Sequence, residues 1–346
     1  MPGLADSEIL DLVNSTLQDL APGDWVQLLQ ARQRYEVMTK WLPKAEEQSN
    51  GIGWKRRLAI HITAAGRHVG IHEVDTIVDA PKLENISGEW SHYDTHYVYD
   101  KTEVTMNAGE SKLTDLLALG EASALISASD DLESAMFTLK DPGDTRKPLG
   151  IPYWIVGNAS TGFNGGNPPG YSTVGGLDTS AAAPDNANYK NYTFTYSAYT
   201  KDALIKPWRT AHRLTQWESP VTVEDFRGSR GQDLRYYMNN DTIDALETIG
   251  EGQTENLGRD LFPYDGQVTF KRHPLVYVPI LNDDATNPIY GIDHTVFKML
   301  YLKDWKMRRS DAKEVWNRHN DLVVWYDLKY ATVCLDRRRC IKTYKV

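Results

Sequence analysis

Residues 111–140, SKLTDLLALGEASALISASDDLESAMFTLK, form the longest periodic stretch of the chain. Leu113, Leu116, Leu117, Gly120, Ala124, Ala128, Leu132 and Met136 recur at steps of three and four, which gathers them on one side of a helix. Ser111 can cap its start and Pro142-Gly143 stops it. At about 1.5 Å per residue such a helix is roughly 45 Å long, the width of a small domain. Ala and Gly dominate the middle of its apolar side, so whatever packs there must come close. Upstream, residues 6–20 place Ile9, Leu10, Val13, Leu17 and Leu20 on one side of a short helix, and a second helix is predicted from Asp24 to Trp41, closed by Pro43. Neither has a sheet beside it in sequence. A neighbouring subunit is one place to bury those stripes.

A period of two takes over after residue 50. Trp54, Arg56, Leu58, Ile60 and Ile62 alternate with Lys55, Arg57, Ala59, His61 and Thr63, the pattern of a half-buried strand. A return limb is predicted from Trp90 to Met106, with Tyr93, Tyr97 and Tyr99 on one face. Residues 51–106 thus read as a long β excursion with too few apolar residues for a core of its own. Residues 157–191 are rich in Gly, Asn, Ser and Pro, and a loop of that length is either functional or disordered. Beyond it the patterns predict a strand at Tyr192–Tyr196, helices at Thr200–Trp217 and Asn239–Ile249, the latter capped by Asn240 or Asp241, and strands at Val268–Phe270 and Leu275–Leu281. Three more strands follow, at Val296–Tyr301, Val323–Tyr326 and Tyr330–Leu335. The class is α+β.

Composition changes this picture in three ways. A chain of 346 residues allows two domains or one elaborated one. A formal charge of −9 argues against a surface that binds nucleic acid throughout, yet Lys55, Arg56, Arg57 and Arg67 lie in an acid-free stretch and Arg337, Arg338 and Arg339 are consecutive. That run is a candidate DNA-facing surface, a solvated charge run being the alternative. Two cysteines, Cys334 and Cys340, exclude a disulfide framework and are expected as buried thiols. No apolar run is long enough to span a bilayer, and the acidic start MPGLADSEIL does not read as a signal peptide, so no membrane partner is expected.

Motifs for chemistry are wanting. His68 and His72 are four apart, but on strand-like sequence that is about 13 Å, too far for one metal. The glycines at 162–176 match neither GxGxxG nor GxxxxGK[ST], and there is no GxSxG elbow. Asp130-Asp131 and Asp283-Asp284 are adjacent pairs that point apart. No catalytic residue, cofactor site or metal site is expected, and the chain is not expected to be an enzyme.

The C-terminal third carries a resemblance. NPIYGIDHTVFKMLYLKDWKMRRSDAKEVWNRHNDLVVWYDLKYATVCLDRRRCIKTY is similar to the closing segment of tailed-bacteriophage major capsid proteins with the Hong Kong 97-like fold. Gly291-Ile292-Asp293 stands in for the family's turn, Val296–Tyr301 for the strand after it and Asn320–Leu335 for the later long strand. MNNDTIDALETI (Met238–Ile249) resembles a helix entry of the family, with Asn240 in place of its proline, and HPLVYVPILNDDATNP (His273–Pro288) the strand and loop before the turn. The resemblance implies an N-terminal arm at 1–50, an extended β loop at 51–108, and a spine helix and peripheral domain at 109–145 with about 266–320. It implies an axial domain at 146–265 with about 321–346. It implies a self-assembling subunit of an icosahedral phage head, forming pentamers and hexamers around double-stranded DNA, with scaffold, portal or decoration proteins as further partners. Such a protein is assembled in the host cytoplasm and resides in the virion. The extended loop would then lie on a neighbour through Trp54, Arg56, Arg57, Leu58, Ile60 and Ile62. The readings set against this are a β-rich carbohydrate-active enzyme, suggested by ten Trp and nineteen Tyr, and a tail or adaptor component.

Overall fold

The computed structural model describes residues 32–49, 51–60, 68–70, 83–102, 116–180, 184–216, 233–251, 269–315 and 318–346. The helix expected over 6–20, residues 24–31 of the one expected over 24–41, and Ile62 lie outside them. The first third supplies β1 (Glu46–Gln48), β2 (Gly53–Ala59), β3 (Leu83–Glu89), β4 (Ser91–Asp100) and the long helix α1 (Leu116–Phe137). The middle supplies α2 (Ile151–Trp154), β5 (Gly162–Gly165), β6 (Asn191–Tyr196), α3 (Lys206–Thr215), β7 (Leu234–Met238) and α4 (Asn240–Glu251). The last third is mostly strand: β8 (Thr269–Phe270), β9 (His273–Tyr277), β10 (Ile289–Asp293), β11 (Phe297–Leu302), β12 (Arg308–Arg309), β13 (Lys313–Val315), β14 (Arg318–Cys334) and β15 (Ile341–Lys345).

The small residues of α1 do what their spacing implies. Ala124, Ala128, Leu132 and Met136 are buried. A β-carbon added at Gly120 would sit 3.4 Å from the Tyr97 ring, so β4 lies against the helix where its side is lowest. Tyr97, Ala124, Val324 and Tyr326 form a cluster there, and the Thr95 hydroxyl donates to the Ala124 carbonyl at 3.3 Å.

Beneath α1 is a six-stranded sheet built on β14. One edge of β14 pairs antiparallel with β4 from Tyr330 opposite Ser91 to Asp321 opposite Asp100. Its other edge takes β11, β12 and β13 in turn, and β1 extends the sheet parallel to β11. The two strands expected at 323–326 and 330–335 are therefore one, because the pairing with β4 runs through 327–329 without a break. The return limb splits: β3 pairs with β2 in a separate hairpin, while β4 belongs to β14.

A mixed seven-stranded sheet, in the order β5-β6-β15-β10-β7-β9-β8, forms the second body. Residues 289–293 are a fully buried central strand of it, not the turn expected at Gly291-Ile292-Asp293. Gly291 is required for another reason: a β-carbon would lie 2.8 Å from the Tyr236 ring on β7. Helix α4 is capped by Asn239, whose side-chain oxygen accepts from Thr242 N–H at 3.1 Å, one residue before the expected cap. Pro207 stands where the wide helical turn at Lys201–Ile205 runs into the first turn of α3.

The two sheets divide the chain differently from the expected 266–320 and 321–346. Strands β9 and β10 join the seven-stranded sheet, and β14 joins the sheet beneath α1. In the last third of the chain the backbone changes sheet twice, between β10 and β11 and again between β14 and β15, and neither crossing coincides with a compositional break. Cys334 and Cys340 flank the second crossing and are free, buried thiols.

Candidate assembly interface

Two segments leave the packed bodies, and what holds each of them defines the candidate interface. The first is the root of the N-terminal arm. Among the described residues there, Val37–Trp41 form a single wide helical turn. The Arg32 guanidinium lies 2.5 Å from Asp130 on α1, Val37 N–H donates to the Glu133 carboxylate at 2.8 Å, and the Trp41 ring meets Phe137, Tyr237, His294 and Phe297 at centroid distances of 5.3–5.9 Å. The root thus runs along α1 and ends where both sheets meet it. Glu133 is fully buried, one residue round from Leu132 in the apolar side of the helix. That burial pushes its carboxyl up to about 7, with backbone N–H groups opposing the shift and the nearby buried Glu36 adding to it. Nothing in the motif reading pointed to Glu133, although an acid inside an apolar side was the available signal.

This gives a pH dependence with a definite sign. Glu133 titrates near 4.5 when unfolded and near 7 when folded, so between these pH values the folded chain binds more proton. Stability is highest below about pH 4.5 and falls as pH rises toward 7, by roughly 3 kcal/mol in all. Glu133→Gln keeps an acceptor for Val37 and removes the titration. Thermal melts from pH 4.5 to 7.5 are expected to show a declining Tm for the parent chain and a flatter profile for the variant. Equal slopes would refute the assignment.

A cavity of about 410 Å³ opens beside Trp41. Trp41, Phe297 and Met299 are its buried lining. Lys40, Lys44, Arg235 and Lys298 stand around it, against the carboxylates Glu46 and Asp233. His294 also lines it; burial pushes its imidazole down to about 4, so it is neutral at pH 7.

The second segment is the β2–β3 hairpin. Trp54, Leu58 and Ile60, expected on a neighbour, pack on this chain's own body. Trp54 is 1 % exposed and its ring lies 6.0 Å from that of Trp154; Ile86 beside it is buried, and the Ile60 carbonyl accepts a hydrogen bond from Asn188. The residues at the base meet the loop around Gly175, whose carbonyl accepts from Ser87 N–H at 3.0 Å. Arg56 shares that face and is half-buried, whereas Lys55, Arg57, Ala59 and Leu83 are exposed on the opposite face. The alternation was read correctly and its partner was not, because Trp154 lies a hundred residues away.

The arginine run is also placed differently from the expectation. Arg337 is 0 % exposed and Arg339 2 %, so neither faces DNA. Arg339 pairs with buried Asp293 at 3.4 Å. Arg337 donates to the carbonyls of Trp154, Tyr189, Gly165 and Gly166 at 2.6–2.9 Å and to Asn191 Oδ1 at 3.1 Å. It thereby fastens the Gly/Asn-rich loop to the crossing between β14 and β15. Only Arg338 is partly exposed, bonded to Asn188 and lying over Phe163.

No family model and no curated protein matches the chain. Solved structures do. A subunit of the cyanophage A-1(L) capsid matches with a TM-score of 0.64 over 96% of this chain and 99% of its own, at 14% identity. The chain from the capsid of a native GTA particle matches at 0.56 over 100% and 99%, at 10% identity. One from Mycobacterium phage Ogopogo matches at 0.54 over 99% and 100%, at 13% identity. This is the capsid-subunit fold. The α+β class and the capsid fold expected from the resemblance hold. That fold accounts for the long helix over one sheet with a second sheet beside it among the described residues.

Proposed function

We propose that this chain is the major capsid protein of a tailed bacteriophage and assembles with copies of itself into a closed head around double-stranded DNA. The observation that carries the reading is the match in fold to phage capsid subunits over nearly the whole of both chains. In this reading residues 1–50 are the arm, the β2–β3 hairpin and its connection are the extended loop, α1 with the six-stranded sheet is the peripheral domain, and the seven-stranded sheet with α3 and α4 is the axial domain. The role is structural, with no catalytic step. Contact with DNA falls to cations other than Arg337 and Arg339, and the protein resides in the virion. No helix among the described residues is long and apolar enough to cross a membrane.

Sedimentation velocity of the purified chain tests the proposal. Species the size of pentamers, hexamers or shells are expected, shifting with salt and concentration. A carbohydrate-active enzyme would instead sediment as a compact monomer or small oligomer at every salt.

A further inference from the structure

We infer that the outer face of α3 in one copy of this chain docks on the outer face of α4 in a second copy, head to tail. The inference rests on self-assembly as proposed above and names one contact that holds the copies together. The two helices carry opposite signs. On α3, Lys206, Arg209 and Arg213 recur at steps of three and four and are exposed, opposite the buried Trp208, Ala211 and Thr215. On α4, Asp241, Asp244 and Glu247 are exposed, opposite buried Thr242 and opposite Leu246, which packs on the same core cluster as Trp208. Helix α3, KPWRTAHRLT, holds no acid, and helix α4, NDTIDALETIGE, holds no base. Asp202, in the turn before α3, is the one acid of residues 200–216. None of the six forms an ion pair among the described residues. Arg213 reaches the Thr210 hydroxyl at 3.4 Å, and Asp244 accepts from the Asn240 amide at 2.8 Å. Like charges at this spacing weaken an isolated helix. The helix dipole favours Asp241 at the start of α4 and Arg213 at the end of α3, but it fades within one turn and gives Lys206 and Glu247 no local use.

The placement of the helices selects the partner. Both cover one face of the seven-stranded sheet, α3 over β6 and β15, α4 beside β9 toward the other edge. The Tyr199 and Thr242 hydroxyls, 3.3 Å apart, tie their starts together. The cationic and acidic faces are thus two different patches of one layer. A contact between unlike patches is heterologous: each copy gives α3 to one neighbour and α4 to another, which closes into a ring where the rotation allows. A DNA duplex seated on α3 would bring its phosphates up to the acids of α4, so a second copy fits this surface better than nucleic acid does. Charges this exposed steer and select more than they hold. Leu214, 52% exposed beside Arg213, adds apolar area to the contact.

Exchange of the signs tests the pairing, with the assembled fraction read by sedimentation velocity. Arg209→Glu with Arg213→Glu, or Asp244→Lys with Glu247→Lys, sets like charges against each other across the contact. Either pair is expected to lower the assembled fraction at low salt at least about five-fold, and high salt should soften the loss. The chain carrying all four substitutions has its signs exchanged and should assemble again. Thermal melts show whether each variant is folded. For one that is not, Arg209→Cys and Glu247→Cys chains, assembled together and oxidised mildly, replace it and should give a disulfide-linked dimer of one of each, the native cysteines being buried. Folded reversals that assemble as the parent does overturn the inference and leave self-assembly standing. So does a chain with all four substitutions that stays disassembled, or a mixed assembly with no such dimer. Reversal on α3 that leaves shells intact and only weakens their hold on DNA also overturns it, in favour of a DNA-facing surface. A parent chain that never leaves the monomeric state overturns both.

Discussion

Arg337→Met is expected to lower the stability of the subunit by roughly 3–5 kcal/mol. The guanidinium is fully enclosed, and its hydrogen bonds run to four backbone carbonyls and one side-chain amide oxygen. Carbonyl dipoles, not a carboxylate, therefore balance its charge, and burial draws its pKa below the usual arginine range. Methionine fills similar space with no donor, so the four carbonyls would lose this donor inside the fold, each at about 1–3 kcal/mol and not additively, while Asn191 Oδ1 keeps the Val156 N–H at 3.0 Å. Arg337→Lys keeps the charge but offers three donors from a single nitrogen in place of a planar fork, and should fall between. Arg338→Met, removing one hydrogen bond from a partly exposed group, should cost under about 1 kcal/mol. Urea unfolding of the three variants checks the order. A stability for Arg337→Met within about 1 kcal/mol of the parent, the scale of one ordinary hydrogen bond, would show that the loop at 157–191 is held by something else.

Excising residues 61–82 is expected to separate folding from assembly. Ala59 and Leu83 face each other across β2 and β3, so a short Gly/Ser turn can rejoin the strands there. The hairpin base, with Trp54 and Ile86 against Trp154, remains. The shortened chain should melt cooperatively near the parent Tm and form no shells, as the proposal that the extended loop lies on a neighbour requires. Replacing all of 54–104 is a different experiment. It removes β4, the partner of β14 along one whole edge and the strand that carries Tyr97 to α1, and should leave an insoluble chain. Normal shells from the 61–82 excision would remove the extended loop from the account of assembly.

Much of the fold was legible because local period and local structure coincide. The small-residue side of α1, the alternation in β2 and the strands near the C-terminus all follow from spacing within a few residues. What escaped was decided by residues far apart in sequence. Trp54 reads as an apolar position seeking a partner, and nothing near it says that the partner is Trp154 of its own chain and not a neighbour. Arg337, Arg338 and Arg339 read as a charge run, yet a three-residue turn rolls two of them inward, where Arg337 meets the backbone carbonyls of a glycine-rich loop. Gly291 reads as a turn glycine, whereas the close approach of Tyr236 makes it a strand glycine. The sheet membership of β14 and β10 escaped for the same reason: each is placed by the strands it pairs with, not by its order in the chain.

The central claim is that copies of this chain build a closed shell, and negative-stain electron microscopy of the expressed protein tests it most directly. Uniform closed particles, or rings of five and six subunits where shells do not close, are the expected result. A monodisperse, well-folded monomer across a range of salts would contradict it.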